Sequence, residues 1–405
     1  MIESSRATSK IGLALAGGGP EGSIYEIGAV RALDEALDGI DFNDLHVYVG
    51  VSAGAFISAC LANNLSTAQM CRAIVKHDPG EHPFVPETFL SPAVGEFVRG
   101  SMKVPQLFLT GLLDLAKHPT DRRLFEPLAR LSRALPVGLF RSEPLRRYLE
   151  NIFSRPGRSD DFRKLRRKLV VVATDLDSGR PVRFGEPGLD HIPVSTAVQA
   201  SSALPGLYPP VTIEGRHYVD GVLLKTMHAS VALEDGADLV LCVNPIVPVD
   251  TIRSVELGIM RRGRLADRGL PTVLSQTFRT VIHSRMGAGL SAYETRFTDR
   301  DVLVFEPRRD DYTIFFSNVF SFSKRKAVCE HAYQSTRRKL RRNRRRLEPV
   351  LARHGITLRA DILEDPDRDL WESVGLHKRR RPSTSHVKDR LDKALARVED
   401  LIATR

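Results

Sequence analysis

The chain is poor in cysteine and tryptophan and has no long uninterrupted apolar run. Its four cysteines, Cys60, Cys71, Cys242 and Cys329, lie far apart and form no C-x-x-C pair, so neither a disulfide framework nor a zinc site is indicated. No run of about 18 uninterrupted apolar residues occurs, which argues against a spanning helix. At the N-terminus, Arg6 and Lys10 are followed by a short apolar run and then glycines, without a cleavage-type site. That is not a signal-peptide pattern. The expected location is the cytoplasm, with any membrane contact peripheral. No internal repeat is visible.

What is present is the composition of a globular protein. The 405 residues are 42% hydrophobic and 27% charged, enough chain to bury a substantial core in one large domain with additions, or in two. The net charge of +11 is concentrated: Lys324 to Leu358 holds twelve Lys or Arg against two Glu. Such a segment attracts polyanions, either nucleic acid phosphates or anionic lipid headgroups. A solvated basic helix is an equally weighted reading. The run lacks interleaved aromatics and no nucleic-acid motif accompanies it, so nucleic acid is not an expected partner.

Two glycine-bounded turns stand out early. Ile11 to Ala16 reads as a buried strand, followed by Gly17-Gly18-Gly19-Pro20-Glu21-Gly22 and a helical pattern from Ser23 to Leu37. Strand, glycine loop and helix form an anion-binding layout. Gly17, Gly19 and Gly22 fit G-x-G-x-x-G, with Asp38 or Asp41 at a distance suited to a ribose, so a dinucleotide site is one use of it. The other is an oxyanion hole made by the N–H groups of Gly18 and Gly19. The second turn weighs on this choice. Leu45 to Val49 is strand-like, Gly50-Val51-Ser52-Ala53-Gly54 fits G-x-S-x-G, and a helix follows to Ala62. This nucleophile-elbow pattern needs small residues on both sides of the serine, supplied here by Gly50 and Gly54. An acyl-transfer site needs both turns side by side, and a dinucleotide domain has no use for the second. A serine N-cap at a strand-helix junction is also ordinary structure.

Further along, residues 76–136 carry many prolines and apolar clusters and are expected to be an inserted, partly helical cap. Leu145 to Phe153 reads as an amphipathic helix, Leu169 to Asp175 as a buried strand, Pro181 to Phe184 as an edge strand and Ser195 to Ser202 as a small-residue helix. Asp220-Gly221 follows a strand-like run, where a carboxylate can project into a cleft or form a turn. Asp238 to Val243 and Val302 to Phe305 are expected strands, Leu270 to Tyr293 a long helix and Ser323 to about Arg346 the basic helix. Organisation is expected to weaken beyond Gly355, with a mobile linker at 378–386 and a terminal amphipathic helix at 389–402.

Gly17 to Gly22, Gly50 to Gly54 and Asp220-Gly221, in that order, together with Ala200-Ser-Ser-Ala-Leu-Pro-Gly-Leu-Tyr-Pro-Pro210, resemble the motif set of patatin-like phospholipases. The resemblance covers roughly residues 10 to 245. It implies a three-layer α/β/α fold with a mainly parallel sheet, Ser52 as nucleophile, Asp220 as base, and Gly18 and Gly19, with Gly17 and Gly22, lining an oxyanion hole. The implied activity is cleavage of lipid carboxylic esters through an acyl-serine, with no metal or cofactor. The family usually has Arg or Lys where this chain has Glu21, and Gly or Ala where it has Val222. The rival enzyme reading is a Ser-His-Asp hydrolase using His283 or His331; the rival of another class is a non-catalytic lipid- or protein-binding module. The expected organisation is a tail at 1–9, a catalytic domain at 10–245 containing the cap, a helical continuation at 246–358 with the basic helix, and a partly disordered extension at 359–405. The expected partners are a lipid ester and an anionic membrane met by 324–358, with the oligomeric state open.

Overall fold

Short runs of β-branched and aliphatic residues, each closed by glycine or a polar residue, form the strands of one sheet. The computed structural model describes residues 9–76, 91–92, 137–256, 265–311 and 322–376. The expected cap therefore lies outside the described residues except for residues 76 and 91–92, as do the expected linker at 378–386 and helix at 389–402.

The sheet contains β1 (Ile11–Leu15), β3 (Val47–Gly50), β4 (Lys168–Asp175), β5 (Pro181–Phe184), β6 (Val211–Ile213), β7 (Arg216–Asp220), β8 (Leu239–Val243) and β9 (Asp301–Phe305). Its hydrogen-bonded order is β6-β7-β4-β3-β1-β8-β9, with β5 also on β4. The pairs from β4 through β3, β1 and β8 to β9 are parallel, and β5, β6 and β7 join antiparallel. Strands β1, β3 and β8 are wholly buried. Burial on both faces is why they read as continuous apolar runs rather than alternating ones.

The two faces have separate cores. Leu13, Leu15, Tyr48, Val171 and Leu241 pack against α1 (Gly19–Ala36), α2 (Ala53–Ala62), α3 (Thr67–Lys76), α4 (Glu143–Phe153) and α5 (Val194–Ser201). Ala14, Val49, Val172 and Cys242 face the other way, against α6 (Ala229–Glu234). Ahead of β9 come the short α7 (Thr251–Glu256) and the long α8 (Leu270–Arg296), whose Ile282 joins the second core. The fold is α/β with a mostly parallel sheet between helical layers. Among the described residues no helix is long and apolar enough to cross a membrane.

The basic segment is not a freely solvated helix. It divides at Asn343 into α9 (Phe322–Arg342) and α10 (Arg344–Arg353). Val328, Cys329, Ala332, Tyr333 and Leu340 of α9 are buried, and so are Arg325 and Arg337. Arg337 donates to the carbonyls of Ile362, Asp365 (2.8 Å) and Arg368 (2.9 Å). Its charge thus serves as a clasp for the segment that follows. Among the described residues, organisation continues after Gly355 as far as residue 376: β10 (Thr357–Leu358) pairs antiparallel with β2 (Leu37–Asp38), and α11 (Ala360–Glu364) and α12 (Leu370–Ser373) follow. Arg368 and Tyr333 both bond Glu35 of α1. Many cations in this stretch conceal a structural role because hydropathy patterning cannot tell a clasping arginine from a solvated one.

Helices α1 and α9 approach closely at Gly28, where an added Cβ would lie 2.3 Å from the Cys329 carbonyl oxygen. Gly28→Ala is expected to lower stability by about 1–3 kcal/mol through overpacking. Gly287→Ala, in the exposed interior of α8 with no atom near the new methyl, should raise it by about 0.5–1 kcal/mol. Denaturant midpoints of the two variants check the opposite signs.

Candidate active site

Sheet register brings the two sequence-predicted side chains together. Leu15 pairs with Gly50, and Gly50 with Val171. Val171 is paired to β3 and β5, and Ala173 to β5 and β7. A strand residue has one neighbour on each side, so β3 and β7 lie on the same side of β4, end to end. The C-terminal ends of these two strands therefore converge. Two residues past Gly50 is Ser52; the partner of Ala173 is Asp220.

Ser52 has φ 53° and ψ −119°, a left-handed backbone that a non-glycine residue adopts at a cost of about 1–3 kcal/mol. The turn is held from several directions. Val51 N–H donates to Leu15 O (3.2 Å), Gly54 N–H to Ala16 O (3.0 Å) and Ser52 N–H to Ser201 Oγ (2.8 Å), whose own hydroxyl donates to Val172 O (2.6 Å). The tight fit explains the glycines: a Cβ at Gly50 would lie 2.4 Å from Ala55 Cα, and one at Gly54 would lie 2.4 Å from Leu15 O. Although Ser52 occupies the N-cap position of α2, its side chain makes no capping bond. The hydroxyl instead hydrogen-bonds the Asp220 carboxylate.

Asp220 is 1% exposed. Its N–H donates to Ala203 O (3.0 Å), its carbonyl accepts from Thr174 (3.2 Å), and its Oδ1 accepts from Val222 N–H (2.9 Å). Burial pushes the carboxyl up to about 7, against the opposing pull of the Val222 and Ser52 hydrogen bonds. Of the two uses of Asp-Gly considered from sequence, the turn is present, with the carboxylate capping a 3-10 turn at Gly221–Leu223, and the serine hydroxyl is a further hydrogen-bonding neighbour of that carboxylate. Gly221 passes so close to β4 that a Cβ would lie 2.3 Å from Val172 O.

The first glycine loop borders the same place. A Cβ on Gly17 would sit 2.9 Å from a Val222 methyl and 3.3 Å from Ser52 Cβ; Gly18 and Gly22 pack on Pro245. Gly22 N–H donates to Gly18 O (2.9 Å). Gly19 has φ +60° with open space beside its Cα, and it opens the 18-residue helix α1 two residues after Gly17.

The sequence model of the patatin-like phospholipases matches residues 13–233. The chain belongs to that family. Among solved structures, VipD from Legionella pneumophila is similar over 83% of this chain and 67% of its own, at 16% identity and a TM-score of 0.41. Two structures of Pseudomonas aeruginosa ExoU with SpcU from the type III secretion system are similar too. Full-length ExoU matches at 20% identity over 49% of this chain and 39% of its own, TM-score 0.25. The heterodimeric complex matches at 17% over 83% and 53%, TM-score 0.28. The chain thus spans about two thirds of the first and between two fifths and about half of the ExoU chains.

Where this family member departs from the usual pattern, the fold supplies a neighbour. Glu21 lies 3.9 Å from the Arg279 guanidinium of α8, and burial raises its carboxyl to about 7 despite that cation. Val222 packs beside Gly17 and donates its N–H to Asp220. Of the rival histidines, His331 bonds Asp311 at 2.6 Å, and His283 has Glu306 and Arg309 as its electrostatic neighbours. Sequence reasoning missed the elbow prop Ser201, although it lies in the quoted 200–210 segment. It also missed His228, buried with its ring bonded to the Gly221 backbone and pushed down by burial to about 4, hence neutral. A lone histidine after Met227 carries no signal in a single sequence.

An unfolded aspartate titrates at about 3.9, whereas burial holds folded Asp220 near 7, so ionising it costs stability. The penalty is absent below about pH 4, grows across the interval and is complete above about pH 7, amounting to the order of 4 kcal/mol. Asp220→Asn removes this ionisation. Its melting temperature relative to the parent should climb from about pH 4 to about pH 7 and then level off; a flat difference would mean a solvated carboxylate.

Proposed function

We propose that the chain is a lipid acyl hydrolase, of phospholipase A or lysophospholipase/esterase type, that works by a Ser52–Asp220 dyad. The observation that carries this reading is the Ser52 hydroxyl bonded to a buried carboxylate while standing on a strained turn. Asp220 is near neutrality in its titration, as a general base at physiological pH requires. It accepts the Ser52 proton as Oγ attacks the ester carbonyl. The N–H groups at Gly18 and Gly19, at the N-terminal end of α1, stabilise the tetrahedral oxyanion, with Gly17 and Gly22 shaping the loop. Collapse expels the alcohol, which leaves with the proton returned by Asp220. Asp220 then deprotonates a water that attacks the acyl-serine, releasing the fatty acid and restoring the hydroxyl.

The usual loop cation is replaced by Glu21, and Arg279 supports a phosphate-bearing substrate nonetheless. Its guanidinium offsets the carboxylate and brings positive charge to the loop from α8. Peripheral membrane contact belongs to this reading, because the substrate resides in a bilayer. Exposed Arg341, Arg342, Arg345 and Arg346 of the basic segment are available to anionic headgroups.

Fluorophosphonate labelling tests the nucleophile. The adduct should map to Ser52 and vanish in Ser52→Ala, and both Ser52→Ala and Asp220→Asn should lose ester hydrolysis by about 10³-fold or more. The rate should rise with pH through about 7, since only ionised Asp220 accepts the proton. An unlabelled chain would instead favour a binding module on the same fold, and a histidine variant as inactive as Asp220→Asn would favour a triad. Arg279→Ala should slow phospholipid hydrolysis about tenfold while changing an uncharged short-chain ester little, measured as kcat/KM on both substrates.

A further inference from the structure

Helix α8 has two unlike faces. At a turn every 3.6 residues, Arg279, Ile282, Met286 and Tyr293 share one stripe, which faces the fold. Arg279 meets Glu21 of the glycine loop, the Ile282 carbonyl accepts from Thr226 (3.3 Å) and Met286 sulfur lies 3.3 Å from Asn244 Nδ2. Arg285 at the edge donates to Leu223 O (3.2 Å), in the turn that follows Asp220. The helix thus lies beside the glycine loop that follows β1 and the turn that follows β7.

The opposite stripe points to solvent and is apolar. Eleven large apolar side chains stand exposed among the described residues, and seven of them lie on α7 and α8. Leu270 is 68% exposed, Leu274 46%, Phe278 53% and Val281 51%, at the i, i+4, i+8 and i+11 spacing of one helical face. Ile252 of α7 is 74% exposed. Two hydrogen bonds between Gln276 of α8 and the Val249 backbone hold the start of α7 alongside. Single exposed apolar residues are ordinary, but a contiguous stripe of them marks an interaction surface.

Charge decides the occupant. Among the described residues of 251–256 and 265–296, Arg253, Arg268, Arg285 and Arg296 are exposed, against Glu256 and Asp267. Arg253 of α7 also lines an approximately 800 Å³ cleft in which six Arg or Lys side chains outnumber four Asp or Glu. An apolar helical face with a basic border complements an anionic bilayer, whose interior takes the apolar side chains while its headgroups meet the arginines. We propose that the outward face of α7 and α8 is the surface by which this chain docks onto anionic lipid, on the helix whose inward face meets the glycine loop. The basic segment adds headgroup contacts at the border of the face rather than forming the docking surface. This inference rests on the lipid-hydrolase reading only for its purpose; binding itself is measured without catalysis.

The test uses full-length chain carrying Ser52→Ala, so that vesicles stay intact. It should cosediment with phosphatidylcholine vesicles containing phosphatidylserine. Leu274→Gln, Phe278→Gln and Val281→Gln together should reduce that partitioning about tenfold or more. With Ser52 intact, the triple variant should hydrolyse a soluble short-chain ester at the parent rate. Phe278→Trp, a conservative change, should give blue-shifted emission and quenching by brominated lipid on vesicle addition, read as the difference from a parent whose one tryptophan is Trp371. Equal vesicle binding by parent and triple variant, or no emission shift from the Phe278→Trp variant, overturns the proposal. So does a parent dimer that dissociates in the triple variant, which would make a second copy the occupant. Failure of soluble-ester hydrolysis with vesicle binding retained would count against the hydrolase reading alone.

Discussion

The hydrogen bond between the Ser52 hydroxyl and the Asp220 carboxylate sets the terms for the rest of the molecule. In the proposed reaction a carboxyl with 1% exposure serves as a base, in surroundings that raise its pKa to about 7. Full desolvation without partners would push it further and hold the proton permanently. The Val222 N–H and the serine hydroxyl limit that rise, and both depend on the backbone course of residues 220 to 223. That course depends on Gly221 passing β4 at a distance no side chain tolerates. The serine side is equally constrained: its positive φ is held by bonds to β1 and to Ser201, which is itself anchored on β4. The pair thereby draws on β1, β4 and α5.

Much of this was legible beforehand where local chemistry is specific. The runs at Ile11 and Leu169 form buried strands because they are apolar and bounded by glycine or aspartate, and the register of the parallel core brings the two glycine turns side by side. Ser52 could be singled out because Gly50 and Gly54 serve a steric need that few other contexts impose. Asp220 was legible only through a family motif. Its partnership with Ser52 arises from β3 and β7 abutting along one side of β4, a long-range pairing with no local signature. The dinucleotide alternative had the same status: G-x-G-x-x-G fits the loop, but the loop borders Ser52 and packs on Pro245 and Val222.

The basic segment shows the reverse failure. Counting charges between Lys324 and Leu358 pointed outward, yet α9 packs against α1 at Gly28 and uses Arg337 to hold three carbonyls of the following segment. A guanidinium has five donors and a long apolar stem, so it can finish a buried hydrogen-bond network as readily as it can face solvent. The same network carries Glu35 of α1, which is why residues 356–376 return to the domain instead of trailing away.

Helix α8 connects these themes. A loop that has exchanged its usual cation for Glu21 would carry an unopposed carboxylate beside the proposed oxyanion position, and Arg279 is the group that meets it. The arginine comes from a helix that is otherwise poorly embedded, with a single well-buried side chain, Ile282, among its large apolar residues. The charge balance at the loop therefore depends on where a surface helix lies, which a lysine within the loop would not require. Any surface that engages the outer stripe of α8 acts on Arg279 through one rigid element, since inward and outward residues of a helix move together. In this chain the electrostatics of the glycine loop and the apolar outer face are two sides of the same structural element.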